Sequence, residues 1–177
     1  MENEEWVQRA QHGDRDAFVE LMRQHEEALH RMAWSMLRKE EDVADVLQET
    51  ILKAYRAISD LHSPQFFRTW LFRILINECN TLLRSRNRTV TVSDFPIVAA
   101  KGNDYDGVDM RDAVDRLEQK QRTVIILHYF EDMSITQVAE TLNLTESAVK
   151  TRLMRARTAL MKKFQIPMKR GINYESV

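Results

Sequence analysis

Between Arg15 and Arg38 the apolar residues Phe18, Leu21, Met22, Leu29, Met32, Ala33 and Met36 recur at short helical intervals. That is the 3.6-residue period of an α-helix that buries one face. Asp14 stands before it as an N-cap, and Gly13 suits the end of a shorter helix over residues 4–12. The period returns in "DVADVLQETILKAYRAI", where Val43, Val46, Leu47, Ile51 and Leu52 share one side. It returns again in "QFFRTWLFRILINECNTLLRSRNR", after a turn over residues 60–63. Ser63 there reads as a cap, with Pro64 in the first turn. Strict alternation appears only in the "TVTV" at residues 89–92, and no second strand is visible to pair with it. With four glycines and three prolines in 177 residues, the chain reads as all-α.

The helical pattern dissolves from Thr89 to Gly107, a stretch holding one of the prolines and two of the glycines. An unstructured loop of that length is unusual inside one compact domain. The expected architecture is therefore two small helical domains, 1–88 and 108–177, joined by a flexible linker over 89–107. In the second, "MRDAVDRLEQKQRTVIILHYF" predicts one or two helices, with Val124, Ile125, Leu127, His128 and Phe130 near the core. Pro167 ends the last helix, and "MKRGINYESV" reads as a loose tail.

The formal net charge of −1 hides an alternation. Residues 1–62 carry a balance of −6, residues 63–92 of +4, residues 93–132 of −4 and residues 133–177 of +5. Basic blocks attract phosphate and acidic blocks repel it. The last basic block contains "SITQVAETLNLTESAVKTRLMRAR", which reads as two short helices with a sharp corner. Ser134 and Gln137 fit a capping box, and Thr145 suits the cap of the second helix. Ala139 is small where the helices must touch, Asn143 tolerates the left-handed turn, and Val149 is apolar where the second helix must be pinned. Val149, Leu153, Ala156 and Leu160 form its buried stripe. The opposite face presents Ser147, Thr151, Met154, Arg155 and Thr158, with Lys150 beside them, while Arg152 and Arg157 flank the stripe. This is a helix-turn-helix whose second helix suits the major groove of DNA.

In the first half, "EDVADVLQETILKAY" followed by "FFRTWLFRILINECNTLLRSRNR" resembles the core of bacterial sigma factors. Joined to a C-terminal helix-turn-helix in a short two-domain layout, it resembles the extracytoplasmic-function (ECF) group. The resemblance covers residues 14–88 and 109–163. It implies an alternative sigma factor that binds core RNA polymerase and directs initiation at promoters with −10 and −35 elements. It implies that Asp42, Asp45, Gln48, Glu49 and Lys53, on the polar face of the third helix, contact the clamp helices of the β′ subunit. The acidic outer face agrees, since it is ill suited to lie on DNA. It further implies that Arg73, Asn77 and Asn80, with Arg84, Arg86 and Arg88 along the strand, melt and hold the −10 element. Asn77 and Asn80 are poor helix formers, so a break holding one flipped base is expected there. Trp70 and Phe72 are read as core. Lys150, Thr151, Met154 and Arg155 would read the −35 element, and the second domain would hold the β flap. The acidic residues Asp104 and Asp106 of the linker, with Asp109 just beyond it, would suit the RNA exit path by mimicking nucleic acid. The resemblance also implies a silencing anti-sigma factor, in this family often set in the membrane.

The sequence offers no phosphate-cradling glycine loop. His25 and His30 fall on different helix faces, and the single Cys79 lies amid apolar residues, so neither a metal site nor a disulfide is expected. No cofactor or catalytic constellation is expected, and the chain reads as a non-enzyme. The acidic N-terminus has no apolar core and no segment reaches the length of a membrane span, so the cytoplasm is the expected compartment. Two other readings stay open on the residues alone. A stand-alone helix-turn-helix regulator with an N-terminal sensor or dimerisation domain would bind free duplex DNA tightly. A protein-interaction module would not need Arg155.

Overall fold

The structure, a computed structural model, describes the backbone of residues 2–89 and 110–164 and the side chains of 4–86 and 110–164. The expectations for residues 90–107, for Asp104, Asp106 and Asp109, for the side chain of Arg88 and for the tail after Phe164 lie outside the described residues.

Within them every regular element is helical. The first half contains α1 (Glu2–Gln11), α2 (Arg15–Leu37), α3 (Glu40–Ala57) and α4 (Phe67–Thr89). Gly13, at φ +91°, makes the turn between α1 and α2, a conformation that side chains with a Cβ rarely adopt. Asp14 caps α2 by accepting from the Ala17 N–H at 3.1 Å, and Arg9 clasps the same carboxylate at 2.7 Å. Arg38 closes α2 in the left-handed region. Pro64 opens a 3-10 turn that runs directly into α4, but Ser63 makes no side-chain cap bond.

The second half contains α5 (Met110–Asp115), α6 (Gln119–Ile125), α7 (Ile135–Leu142) and α8 (Glu146–Lys163). After α6 the chain widens into a single π turn over Ile126–Phe130, in which the Glu131 N–H donates to the Ile126 carbonyl at 3.0 Å. The His128 Nδ1–H donates to the Met133 carbonyl, 2.7 Å away, the satisfied inner histidine expected.

The apolar face of α2 is buried as its period requires: Leu21, Leu29, Met32 and Ala33 are sealed from solvent. α4 packs on α2 and α3 on one side and on α7 on the other. That double cover explains why Leu71, Phe72, Leu75 and Cys79 are all fully buried. α2 also meets α6, so the two helical units share one continuous hydrophobic core.

Three expectations need correction. Val43 and Val46 are core, but Ile51 and Leu52 are exposed, because none of the described helices covers the outer edge of α3 there. α4 runs unbroken through Asn77 and Asn80. Their poor propensity costs about 0.7 kcal/mol each at most, and burial of Leu75, Ile76 and Cys79 around them outweighs it. Leu160 is only half-buried, at the edge of the stripe formed by Val149, Leu153 and Ala156.

Candidate nucleic-acid interface

The helix-turn-helix is built as its sequence dictates. The Ser134 hydroxyl accepts from the Gln137 N–H at 3.2 Å, and the Gln137 side chain accepts from the Ser134 N–H at 2.9 Å. This reciprocal cap satisfies two of the donors that a helix start leaves open. Asn143 takes the left-handed turn at φ 52°. Thr145 then caps α8 by accepting from the Ala148 N–H at 3.2 Å. The Thr136 hydroxyl donates to Glu146 at 2.7 Å, tying the start of α7 to the start of α8. Ala139, Val149, Leu153 and Ala156 are buried between the helices.

The opposite face of α8 is open. Ser147, Lys150, Met154 and Arg155 are exposed, and Thr151 and Thr158 are half-exposed. The two threonine hydroxyls donate to carbonyls one turn back, Ser147 and Met154, and keep acceptor capacity outward. Met154, 59% exposed, has no packing reason to be apolar. It suits contact with a thymine methyl, and Arg155 suits a guanine edge. Arg157 is set apart from this face: it donates to the Tyr129 hydroxyl at 2.7 Å and lies over that ring.

A second row lies on α4. Arg73, Asn77, Asn80 and Arg84 follow one another at intervals of four, three and four, which places them on one helical stripe. All are exposed except Asn80, which is half-buried. Asn80 and Asn77 border a cleft of about 240 Å³ whose far wall includes Thr141, Leu144 and Arg152. Arg86 turns away from the row and pairs with Asp42. Phe72 is core as expected, while Trp70 is half-exposed and leans on Phe67 with ring centroids 5.8 Å apart.

The third surface is α3. Asp45, Gln48 and Glu49 are exposed on its outer face. Asp42 is buried in its pair with Arg86, and Lys53 reaches across to Glu78 on α4 at 2.6 Å. Both therefore fasten α3 to α4. Beside the acidic face lies an apolar groove between α2 and α3, about 610 Å³, lined by Val19, Met22, Leu29, Leu47, Ile51 and Leu52. Its rim carries Arg23, Glu26 and Gln48. In the sequence Ile51 and Leu52 share one side of α3 with Val43 and Val46, and that pattern alone does not reveal the groove. The available signal was Val19, which follows Phe18 outside the buried stripe of α2 and is 63% exposed.

His25 and Cys79 are structural. His25 is buried, bonded through Nδ1 to the Leu21 carbonyl and edge-on to Phe67, and burial holds its pKa below the ordinary value. Burial pushes the Cys79 thiol up to about 12, which keeps it an inert thiol. Among the described residues no group of three His, Cys, Asp or Glu could hold a metal ion, and no helix is long and apolar enough to cross a membrane.

Residues 21–89 match the sigma-70 region 2 family, and residues 108–160 match the sigma-70 region 4 family. The RNA polymerase sigma factor SigV of Bacillus subtilis is 31% identical over 135 residues, 75% of this chain and 81% of SigV. The ECF RNA polymerase sigma factor SigM of Mycobacterium tuberculosis is 32% identical over 151 residues, 84% of this chain and 77% of SigM. In three dimensions the chain is similar to the sigma factor RpoE in its co-crystal structure with the anti-sigma factor NepR from Bartonella quintana. That overlay has a TM-score of 0.70 at 27% identity and covers 85% of this chain and 98% of RpoE.

Proposed function

Because the chain belongs to the extracytoplasmic-function group of sigma-70 RNA polymerase sigma factors, we propose a division of labour among its three surfaces. As an alternative sigma factor it binds core RNA polymerase and directs promoter-specific initiation. The family is not catalytic in itself; the polymerase supplies the chemistry. Residues 1–88 form the unit that holds the polymerase clamp and the −10 element, 89–107 the connection, and 108–177 the unit that holds the β flap and the −35 element.

The −35 element is read by α8. Arg155 and Met154 address base edges, Lys150 adds phosphate attraction, and Ser147, Thr151 and Thr158 supply short polar contacts. The −10 strand runs along Arg73, Asn77, Asn80 and Arg84, with Arg88 beyond. The asparagines bond to unpaired bases and the arginines to phosphates. No break in α4 is needed, because a continuous stripe presents these amides already. Arg86 acts through Asp42, fixing the end of α4 against α3.

Core polymerase engages α3. The observation that carries this is the pairing of the acidic outer face, Asp45, Gln48 and Glu49, with the apolar groove of Val19, Leu47 and Ile51. An acidic face repels DNA, and exposed aliphatic side chains in a groove suit a partner helix. The same groove is where an anti-sigma factor would compete with polymerase. The stand-alone regulator reading is not retained, since residues 21–89 match sigma-70 region 2.

Two variants test the docking face. Asp45→Arg/Glu49→Arg reverses the rim charge, and Ile51→Ser removes an aliphatic contact. Each is expected to weaken binding to core polymerase about ten-fold, measured by fluorescence anisotropy of the labelled chain. The melting temperature should hold, because all three side chains are exposed. Unchanged affinity in both variants would place docking elsewhere.

A further inference from the structure

The partly buried arginines of this molecule are bonded to the protein, with one exception among the described residues. Arg31 and Arg68 hold the carboxylate of Glu131, and Arg86 pairs with Asp42. Arg122 donates to the Asp115 and Leu117 carbonyls, and Arg157 to the Tyr129 hydroxyl. Arg152 on α8 is half-buried too, yet it has no hydrogen-bonding or ion-pair partner among the described residues. It stands beside the buried stripe of α8, apart from the outer face that carries Met154 and Arg155. A guanidinium has five N–H donors, and withdrawing it from water without an acceptor costs free energy.

Arg152 borders the cleft of about 240 Å³ that α4 shares with the second half. Lys120 of α6 borders it as well, exposed and likewise without a carboxylate partner among the described residues. From α4 come the side-chain amides of Asn77 and Asn80, and neither is bonded to another described residue. Met36, Ile76, Leu142 and Leu144 supply the apolar part of the wall. Among the described residues no Asp or Glu lines this cleft. The other two clefts differ: Glu27 and Asp115 stand beside the arginines of one, and Glu26 beside the arginine of the other.

Two cations and two neutral amides thus share one space with no acid to balance them. An anion between the cations removes their mutual repulsion, and the apolar wall strengthens the attraction by lowering the local dielectric. A phosphate group presents three acceptor oxygens in different directions, so it can accept from α4, α6 and α8 together, whereas a carboxylate presents two in one plane. The guanidinium fork matches phosphate with paired bonds, and the lysine adds a point charge. The cleft is smaller than the roughly 300–1,000 Å³ pockets that enclose drug-sized ligands, so its ligand is small. We infer that this cleft binds a small phosphate-bearing anion, either inorganic phosphate or the phosphate group of a nucleotide, through Arg152 and Lys120 with the amides of Asn77 and Asn80. The site draws on both halves of the chain. Asn77 and Asn80 also belong to the stripe proposed for the −10 strand, but Arg152 and Lys120 do not, so the test turns on those two.

Isothermal titration calorimetry of the full chain, in phosphate-free buffer at fixed chloride concentration, uses inorganic phosphate and adenosine monophosphate as probes. At least one should saturate the chain with a dissociation constant below about 1 mM. Arg152→Gln and Lys120→Gln should each weaken that binding about ten-fold, as loss of a hydrogen bond to a charged group does. Arg116→Gln removes an exposed charge that does not line the cleft and should leave the affinity unchanged. Far-UV circular dichroism confirms helix content, and the exposed Lys120 gives a variant that keeps the fold even if Arg152→Gln does not. Saturation by inorganic phosphate assigns the site to the free ion, and saturation by adenosine monophosphate alone assigns it to a phosphate ester. No saturation by either probe up to about 10 mM, or binding that ignores both cleft variants, overturns the site. Binding of single-stranded DNA that depends on Arg152, with neither small probe bound, also overturns it and makes Arg152 a strand contact.

Discussion

Phe72→Ala is expected to lower the unfolding free energy by about 3–5 kcal/mol. The ring is fully buried and is among the largest side chains sealed in the core. It sits on α4, which α2 and α3 cover on one side and α7 on the other, so little can collapse into the space it leaves. A domain of ordinary stability has only about 5–15 kcal/mol in total, so the variant should populate unfolded chain at moderate temperature. Urea denaturation followed by circular dichroism reads this directly. Met154→Ala is the control: its side chain is 59% exposed and should change stability by no more than about 0.5 kcal/mol. A loss below about 1 kcal/mol for Phe72→Ala would mean that α4 is not packed on both sides.

Arg155→Ala is expected to reduce discrimination between a promoter with its proper −35 element and one with that element scrambled by roughly 5- to 150-fold. That range corresponds to about 1–3 kcal/mol for a well-placed contact between arginine and a guanine edge. Arg155 is exposed on the outer face of α8, opposite the buried Val149, Leu153 and Ala156, so its removal leaves the fold intact. The comparison is made with the polymerase-bound chain at fixed salt. Lys150→Ala should behave differently, weakening both promoters alike and lowering the salt dependence by about one phosphate contact. Equal losses on both promoters for Arg155→Ala would make it a phosphate contact instead.

The helix-turn-helix was legible in the sequence because each of its parts is a local rule. The Ser134 and Gln137 cap, the left-handed Asn143, the Thr145 cap and the small Ala139 each follow from residues within a few positions. The buried face of α2 was legible for the same reason. What the sequence concealed depends on distant partners. Periodicity shows that Ile51 and Leu52 are apolar, but not that none of the described helices covers them. Weak propensity at Asn77 and Asn80 suggested a break, and packing of the residues between and before them overrode it. Glu131 looked like one more charge in an acidic block. Its partners lie 100 and 63 residues away, and nothing in the local pattern announces them. Asp42 and Lys53 matched a docking face by position, while their partners Arg86 and Glu78 on α4 make them fasteners.

The central claim is that this chain reads promoters on behalf of a polymerase. A gel-shift with promoter duplex carrying −35 and −10 elements tests it most directly, with permanganate probing of unpaired thymines to detect melting. The chain alone, core polymerase alone and the two together are compared at one salt concentration. The account predicts a specific, melted complex only in the mixture. Tight, specific binding of the duplex by the isolated chain, with nothing added by core polymerase, would contradict it.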